Sequence, residues 1–276
     1  MRTALLALIV FFAAGCPKPR TTAATQPSPA AFDPKASDAK ALEIVDAGIA
    51  AIGGHDKWEA VKELSFGVEY SLDGTVQSRT AHSWDRWNGR HNFQAVNMET
   101  TKSGKPDDVK ASEVRYDLFD AGRLPFATYG GHELDREEGK KAAEQARKRL
   151  GEEGYLMTLI HKVRDPGVHL AHVGQAKVEG ACDPACDTIK VTFDSVVGRD
   201  TWYVNYNTTT HLPEVIESEV AGKGRIGYKI DGWNEAGGLK FPAKLQNLGL
   251  KGEIFSFGGV EVGEPEDNTY MRNVNE

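Results

Sequence analysis

Apolar positions along the chain change period three times, and each change predicts an element. Residues 4–14 (ALLALIVFFAA) form an unbroken apolar run. Within 38–52 (DAKALEIVDAGIAAI), Leu42, Val45, Ile49 and Ile52 recur at three- and four-residue steps. That spacing predicts an amphipathic helix, ended by Gly53-Gly54. Residues 55–61 predict a second short helical turn with Trp58 and Val61 facing inward. The period then falls to two, as Leu64, Phe66, Val68 and Tyr70 alternate with Ser65, Gly67 and Glu69 in a half-buried strand. Asp73-Gly74 and Asn88-Gly89 are hairpin turns. Strands are therefore expected at 75–87, 90–100 and 109–119, the last two separated by Ser103-Gly104-Lys105-Pro106. Successive hairpins with short turns predict an antiparallel meander.

The meander breaks at 132–164. Residues 137–150 are charged and contain alanines, the pattern of a solvated helix. Tyr155, Leu156, Leu159, Ile160 and Val163 then make an apolar helical stripe that Pro166-Gly167 stops. If that second helix is a lid, Gly151 and Gly154 are its hinges. Strand patterns return at 168–179, 187–195, 200–207, 212–220, 225–233, 238–247 and 252–262, with turns such as Asp194-Ser195 and Gly237-Gly238 between them.

The apolar run at 4–14 follows Arg2 and is shorter than the ~18 residues of a spanning helix. A positive start and a short apolar core read as a signal peptide over 1–15. It ends in Ala13-Ala14-Gly15-Cys16, which resembles a bacterial lipobox. The resemblance implies cleavage before Cys16 and acylation (palmitate and related chains) of its thiol and new amine. Each buried CH2 of those chains contributes ~0.8 kcal/mol to membrane attachment. Pro17 rather than Asp follows Cys16, which resembles an outer-membrane sorting signal. Residues 16–37 are rich in Pro, Thr and Ala and predict a semi-extended tether. The expected organisation is signal peptide 1–15, lipidated Cys16 with its tether to 37, and one domain over 38–276. The expected address is the cell envelope, anchored at the outer membrane and facing the periplasm.

Cys182 and Cys186, in CDPAC, are the remaining cysteines of three. Export permits a disulfide between them, across a tight turn containing Pro184. A redox pair and a metal site are the alternatives, against which stand the absence of C-x-x-C spacing and of a nearby His pair. The chain has 276 residues, 33 basic against 40 acidic, for a net charge of −7. That balance argues against a nucleic-acid partner.

The runs IAAIGGHDKWEAVKELSFGVEYSLDG and DTWYVNYNTTTHLPEVIESE carry a further resemblance. A helix closed by Gly-Gly, a Trp, then antiparallel strands resembles the superfamily of bacterial envelope proteins that includes the lipoprotein carriers and receptors LolA and LolB. The resemblance spans about 38–262. It implies an α+β fold: a strongly curved antiparallel sheet, an open half-barrel of about ten strands, with helices plugging the concave face. It also implies a cavity for acyl chains. The candidate lining residues are Phe66, Tyr70, Trp84, Trp202, Tyr206, Leu156, Leu159 and Ile160.

The eight histidines form no H-E-x-x-H motif, and His169 and His172 would face opposite sides of a strand. No G-x-S-x-G elbow is present, and Gly222-Lys223-Gly224 lacks the setting of a phosphate loop. Asp85 and Asp231 are a carboxylate pair that nothing in the sequence brings together. No metal, cofactor or catalytic residue is therefore assigned. The expected function is noncatalytic binding of a lipid, an acyl chain or a lipoprotein. An envelope interaction module with a self-filled core, and a hydrolase built from distant residues, are the alternatives.

Overall fold

The computed structural model describes residues 31–97, 111–194, 200–220 and 224–271. The expected signal peptide, Cys16, most of the tether and the turns at 103–106 and 222–223 lie outside them. Among the described residues, no helix is long and apolar enough to cross a membrane.

Helix α1 (Ala39–Ala51) and the short α2 (His55–Ala60) lead into a six-stranded meander. Its strands are β1 (Glu63–Leu72), β2 (Thr75–Asp85), β3 (Arg90–Asn97), β4 (Ala111–Asp117), β5 (Phe126–Tyr129) and β6 (His132–Glu133). Helix α3 (Arg136–Arg149) runs through a π-helical turn (Leu150–Gly154) straight into α4 (Tyr155–Lys162). Strands β7 (Val168–Val178), β8 (Ala181–Phe193), β9 (Thr201–Asn207), β10 (Pro213–Val220) and β11 (Gly224–Ile230) follow. The chain ends with β12 (Trp233–Ala236), β13 (Leu239–Pro242), β14 (Lys244–Asn247), β15 (Ile254–Gly263) and a final helical turn α5 (Asp267–Tyr270).

Thirteen strands form one antiparallel sheet, ordered β6-β5-β4-β3-β2-β1-β15-β14-β11-β10-β9-β8-β7. Among the described residues, β6 and β7 are its two edge strands and do not pair with each other, so the curved sheet stays open. Strand β15 returns from the far end of the chain to pair with β1 and β14, joining the two halves. The 38–52 and 155–164 helices pack on the concave face as expected. Val45, Ile49, Ile52, Met157, Leu159 and Ile160 share one buried cluster with Leu64, Phe66, Val68, Val204 and Ile216 of the sheet. Burying that much apolar surface is the main stabilising term of the domain.

Four details differ from the sequence pattern. The strand expected over 238–247 divides at Pro242: β13 pairs with β12 in a separate hairpin, and β14 rejoins the main sheet. A proline has no N–H for the ladder, so the pairing changes partner there. The CDPAC segment is not a turn between strands but the start of β8, and the hairpin turn lies at Gly180, whose φ is +74°. The disulfide between Cys182 and Cys186 is formed within that irregular stretch. Charged helix α3 is not solvated all round, because Gly139, Ala143 and Ala146 bury one face against Phe93, Val114, Tyr116 and Ala127. Gly151 and Gly154 do not interrupt the helix; the chain passes through them in one extra-wide turn.

Candidate functional site

Strand register arranges the concave face in rows. Phe66, His82, Phe93, Val114 and Ala127 are successive cross-strand partners from β1 to β5. The next row is Val68, Thr80, Ala95, Ser112 and Tyr129, and the one on the other side is Leu64, Trp84, His91 and Tyr116. Side chains two apart on a strand share a face, so these rows form one continuous surface. Helix α3 crosses it, started by a capping box in which Asp135 accepts from Glu137 and Glu138 N–H and Glu138 reaches back to Asp135. Helix α3 meets the sheet through Gly139, Ala143 and Ala146 and through Arg147, which lies over the Tyr116 ring and donates to the Asp117 carbonyl, and space remains beside that contact. That space is a cleft of about 800 Å3, walled by Thr80, Phe93, Ala95 and Val114 of the sheet and by Ala142 and Arg149 of α3.

A second cleft, of about 360 Å3, opens on the other side of Arg149. Tyr70, Leu156, Trp202, Tyr228 and Phe255 line it, with Glu152, Glu153, Asp200 and Glu253. The Tyr70 hydroxyl donates to Glu253 Oε1 at 3.2 Å. Burial, and the Glu253 charge after it, push the Tyr70 phenol up, and push that of Tyr228 up to about 12. Both rings therefore stay neutral.

Between the clefts lies a buried polar network. Glu153 is 1% exposed, and the π-helical turn is what turns it inward from a charged helix. Turns of this kind recur at functional positions. Its Oε2 accepts from Thr80 Oγ1 at 2.7 Å and meets His82 Nε2 at 2.9 Å; its Oε1 accepts from Arg149 Nη1 at 3.0 Å. His82 Nδ1 lies 3.2 Å from His91 Nε2. With Glu153 ionised, the consistent assignment has His82 Nε2–H donating to Glu153 and His91 Nε2–H donating to His82 Nδ1. Phe66 stacks on His82 at 4.7 Å, and Tyr116 closes edge-on against His91 at 5.1 Å. Burial, then the neighbouring His82, hold the His91 imidazole well below its usual range. Arg149 thus belongs to both clefts and to the network, with its side chain 42% exposed.

The eight candidate lining residues divide. Tyr70, Leu156 and Trp202 line the smaller cleft. Phe66, Leu159, Ile160 and Tyr206 lie in the closed core, each 2% exposed or less, and Trp84 packs at its margin. Asp85 and Asp231 have separate partners: Asp85 binds Asn88 and Arg90, and Asp231 binds Gln246 and Lys244. His169 and His172 likewise meet different carboxylates, Asp194 and Asp187. Among the described residues, one set of metal-type ligand atoms lies close together, those of Cys182, Cys186 and Glu214, and both of its sulfurs are in the disulfide. The His82–His91 pair was within reach of the sequence. A tight turn at Asn88-Gly89 makes the two residues diagonal neighbours across the β2–β3 hairpin. Glu153, some seventy residues further on, had no such signal.

At the level of sequence, neither a protein-family model nor a curated protein matches the chain. Its fold is similar to that of a domain described as an outer membrane lipoprotein-sorting protein, from Vibrio parahaemolyticus. The identity is 11%, over 85% of this chain and 97% of that one, with a TM-score of 0.42. A DUF1329 family protein from Desulfovibrio piger is similar at 11% identity over 84% and 97%, with a TM-score of 0.44. A chain of the Pseudomonas aeruginosa MucA/MucB complex is similar at 13% identity over 84% and 61%, with a TM-score of 0.22.

Proposed function

We propose that this is an envelope lipoprotein, anchored through Cys16 at the outer membrane, that binds an acyl chain on the concave face of its half-barrel without chemically changing it. The observation that supports this most directly is the cleft of about 800 Å3 between the sheet and α3. It has the size of a small-molecule site and an apolar floor of Phe93, Ala95 and Val114. Removing a chain from water onto that floor supplies the affinity, at roughly 25 cal/mol per Å2 buried. A binding role also suits the polar network: Glu153 and His82 are buried and bonded to each other, and the Thr80 hydroxyl is spent on Glu153. The filled core around Phe66, Leu159 and Ile160 favours a second reading, an interaction module that holds no ligand.

One substitution separates the two. Ala95→Trp puts a large ring on the floor of the cleft, next to open space rather than into the closed core. Titration with a fluorescent fatty acid should show saturable binding by the parent and at least about ten-fold weaker binding by the variant, with little change in melting temperature. A parent that binds no fatty acid, or a variant that binds it as well, sinks the acyl reading.

A further inference from the structure

The smaller cleft has a chemistry that an acyl chain does not use. Its walls are four half-buried rings, Tyr70, Trp202, Tyr228 and Phe255, brought by β1, β9, β11 and β15. Tyr70 and Phe255 are 4.9 Å apart between centroids, and Tyr228 stands edge-on to Phe255 at 5.9 Å. Aromatic faces carry negative partial charge and attract cations.

The ionised groups around the rings are also unbalanced toward negative. Of the carboxylates lining the cleft, Glu153 is answered by Arg149 at 3.0 Å. Glu152 lies 3.8 Å from Lys148. Glu253 is held by the Tyr70 hydroxyl and the Asn247 amide, both neutral groups. Asp200 is exposed and forms no ion pair among the described residues. Two carboxylates, Glu253 and Asp200, therefore line a pocket of aromatic rings and form no ion pair among the described residues. A small inorganic cation would seek a shell of oxygens. An organic ammonium, whose carbon groups suit ring faces and whose charge suits the carboxylates, fits both features.

We propose that this cleft takes the ammonium end of a zwitterionic phospholipid, its acyl chain lying in the larger cleft. The inference rests on the acyl-binding reading above. Arg149 lines both clefts, so it stands where such a lipid carries its phosphate, between chain and ammonium. Its Nη1 is committed to Glu153, and a guanidinium has further donors for phosphate oxygens.

The test uses the mature chain from residue 17 onward, which lacks both the apolar 4–14 run and the acylated cysteine and needs no detergent. It is titrated calorimetrically with lysophosphatidylcholine and lysophosphatidylglycerol of the same acyl length, both below their micelle-forming concentrations. The choline lipid should bind about ten-fold more tightly. Trp202→Leu and Asp200→Asn should each lower that preference toward unity and leave the glycerol lipid's affinity unchanged. Asp200 is exposed, so its variant reads the charge contribution even if Trp202→Leu fails to fold. Equal affinities, a preference for the glycerol lipid, or an unchanged preference in Asp200→Asn overturns the ammonium site and leaves acyl binding standing. Binding of neither lipid overturns both.

Discussion

His161 lies in a slot between Trp58, stacked at 5.0 Å, and Phe241 at 4.9 Å, and its Nε2 donates to the Lys240 carbonyl at 2.9 Å. Burial lowers its pKa to about 4; the carbonyl bond opposes the shift and Arg86 adds to it. The folded protein thus resists a proton that the unfolded chain accepts near pH 6.5, so stability falls as pH falls from about 6.5 toward 4. The difference amounts to about 3 kcal/mol at the acid end, of which about 2 is lost by pH 5. His91, also depressed by burial, adds in the same direction. Urea unfolding at pH 7 and pH 5 should show this loss. His161→Phe keeps the stacking and cannot titrate, so its pH dependence should be shallower; an equal slope would show that His161 does not drive it.

At the scale of elements, helix α1 shows packing overriding propensity. Gly48 sits in its middle, where alanine would ordinarily gain about 1 kcal/mol. A Cβ there would come within 2.3 Å of the Tyr206 ring, which is itself buried. Overpacking of that kind costs about 1–3 kcal/mol, so the clash outweighs the propensity. Gly48→Ala should lower the melting temperature, whereas Gly151→Ala, with nothing within 4 Å of its Cβ, should not. A stabilised Gly48→Ala would mean that Tyr206 has room to move. The sequence shows a glycine in a good helical pattern at each place; only the neighbour across the core tells them apart. The π-helical turn is similar. Local pattern reads LGEEG as a weak point between two helices. In the fold it is continuous backbone that rotates Glu153 out of the solvated face and into contact with Thr80 and His82.

At the scale of the whole molecule, the last long strand holds the middle of the sheet. Strand β15 pairs with β1 on one side and β14 on the other, so the two halves of the chain meet through residues 254–263. Ending the chain after Glu253 would leave Leu64, Phe66 and Val68 beside an open seam, and the far-ultraviolet and near-ultraviolet circular dichroism of a folded domain should be lost. Ending it after Gly263 removes α5 with its contacts to Glu63, Arg90, Asn92 and Arg115, and the exposed Lys62–Glu264 ion pair, but no strand of the sheet, and the domain should remain folded. Folding of the shorter chain would show that the two halves stand independently.

The sequence alone determined most of the elements, and its family resemblance implied their layering. Helix 38–52, the alternation from Leu64 to Tyr70 and the Asp-Gly and Asn-Gly turns are local properties, because periodicity and turn chemistry act over a few residues. Those same turns set the register that puts His82 and His91 side by side. Tertiary structure decided the rest. It closed β15 against β1 across nearly two hundred residues, divided the candidate lining residues between core and cleft, and brought Glu153 to the histidines. It also left the space beside α3 that makes a cleft. These depend on which surfaces remain after the helices have packed, a volume and contact question that no periodicity along the chain encodes.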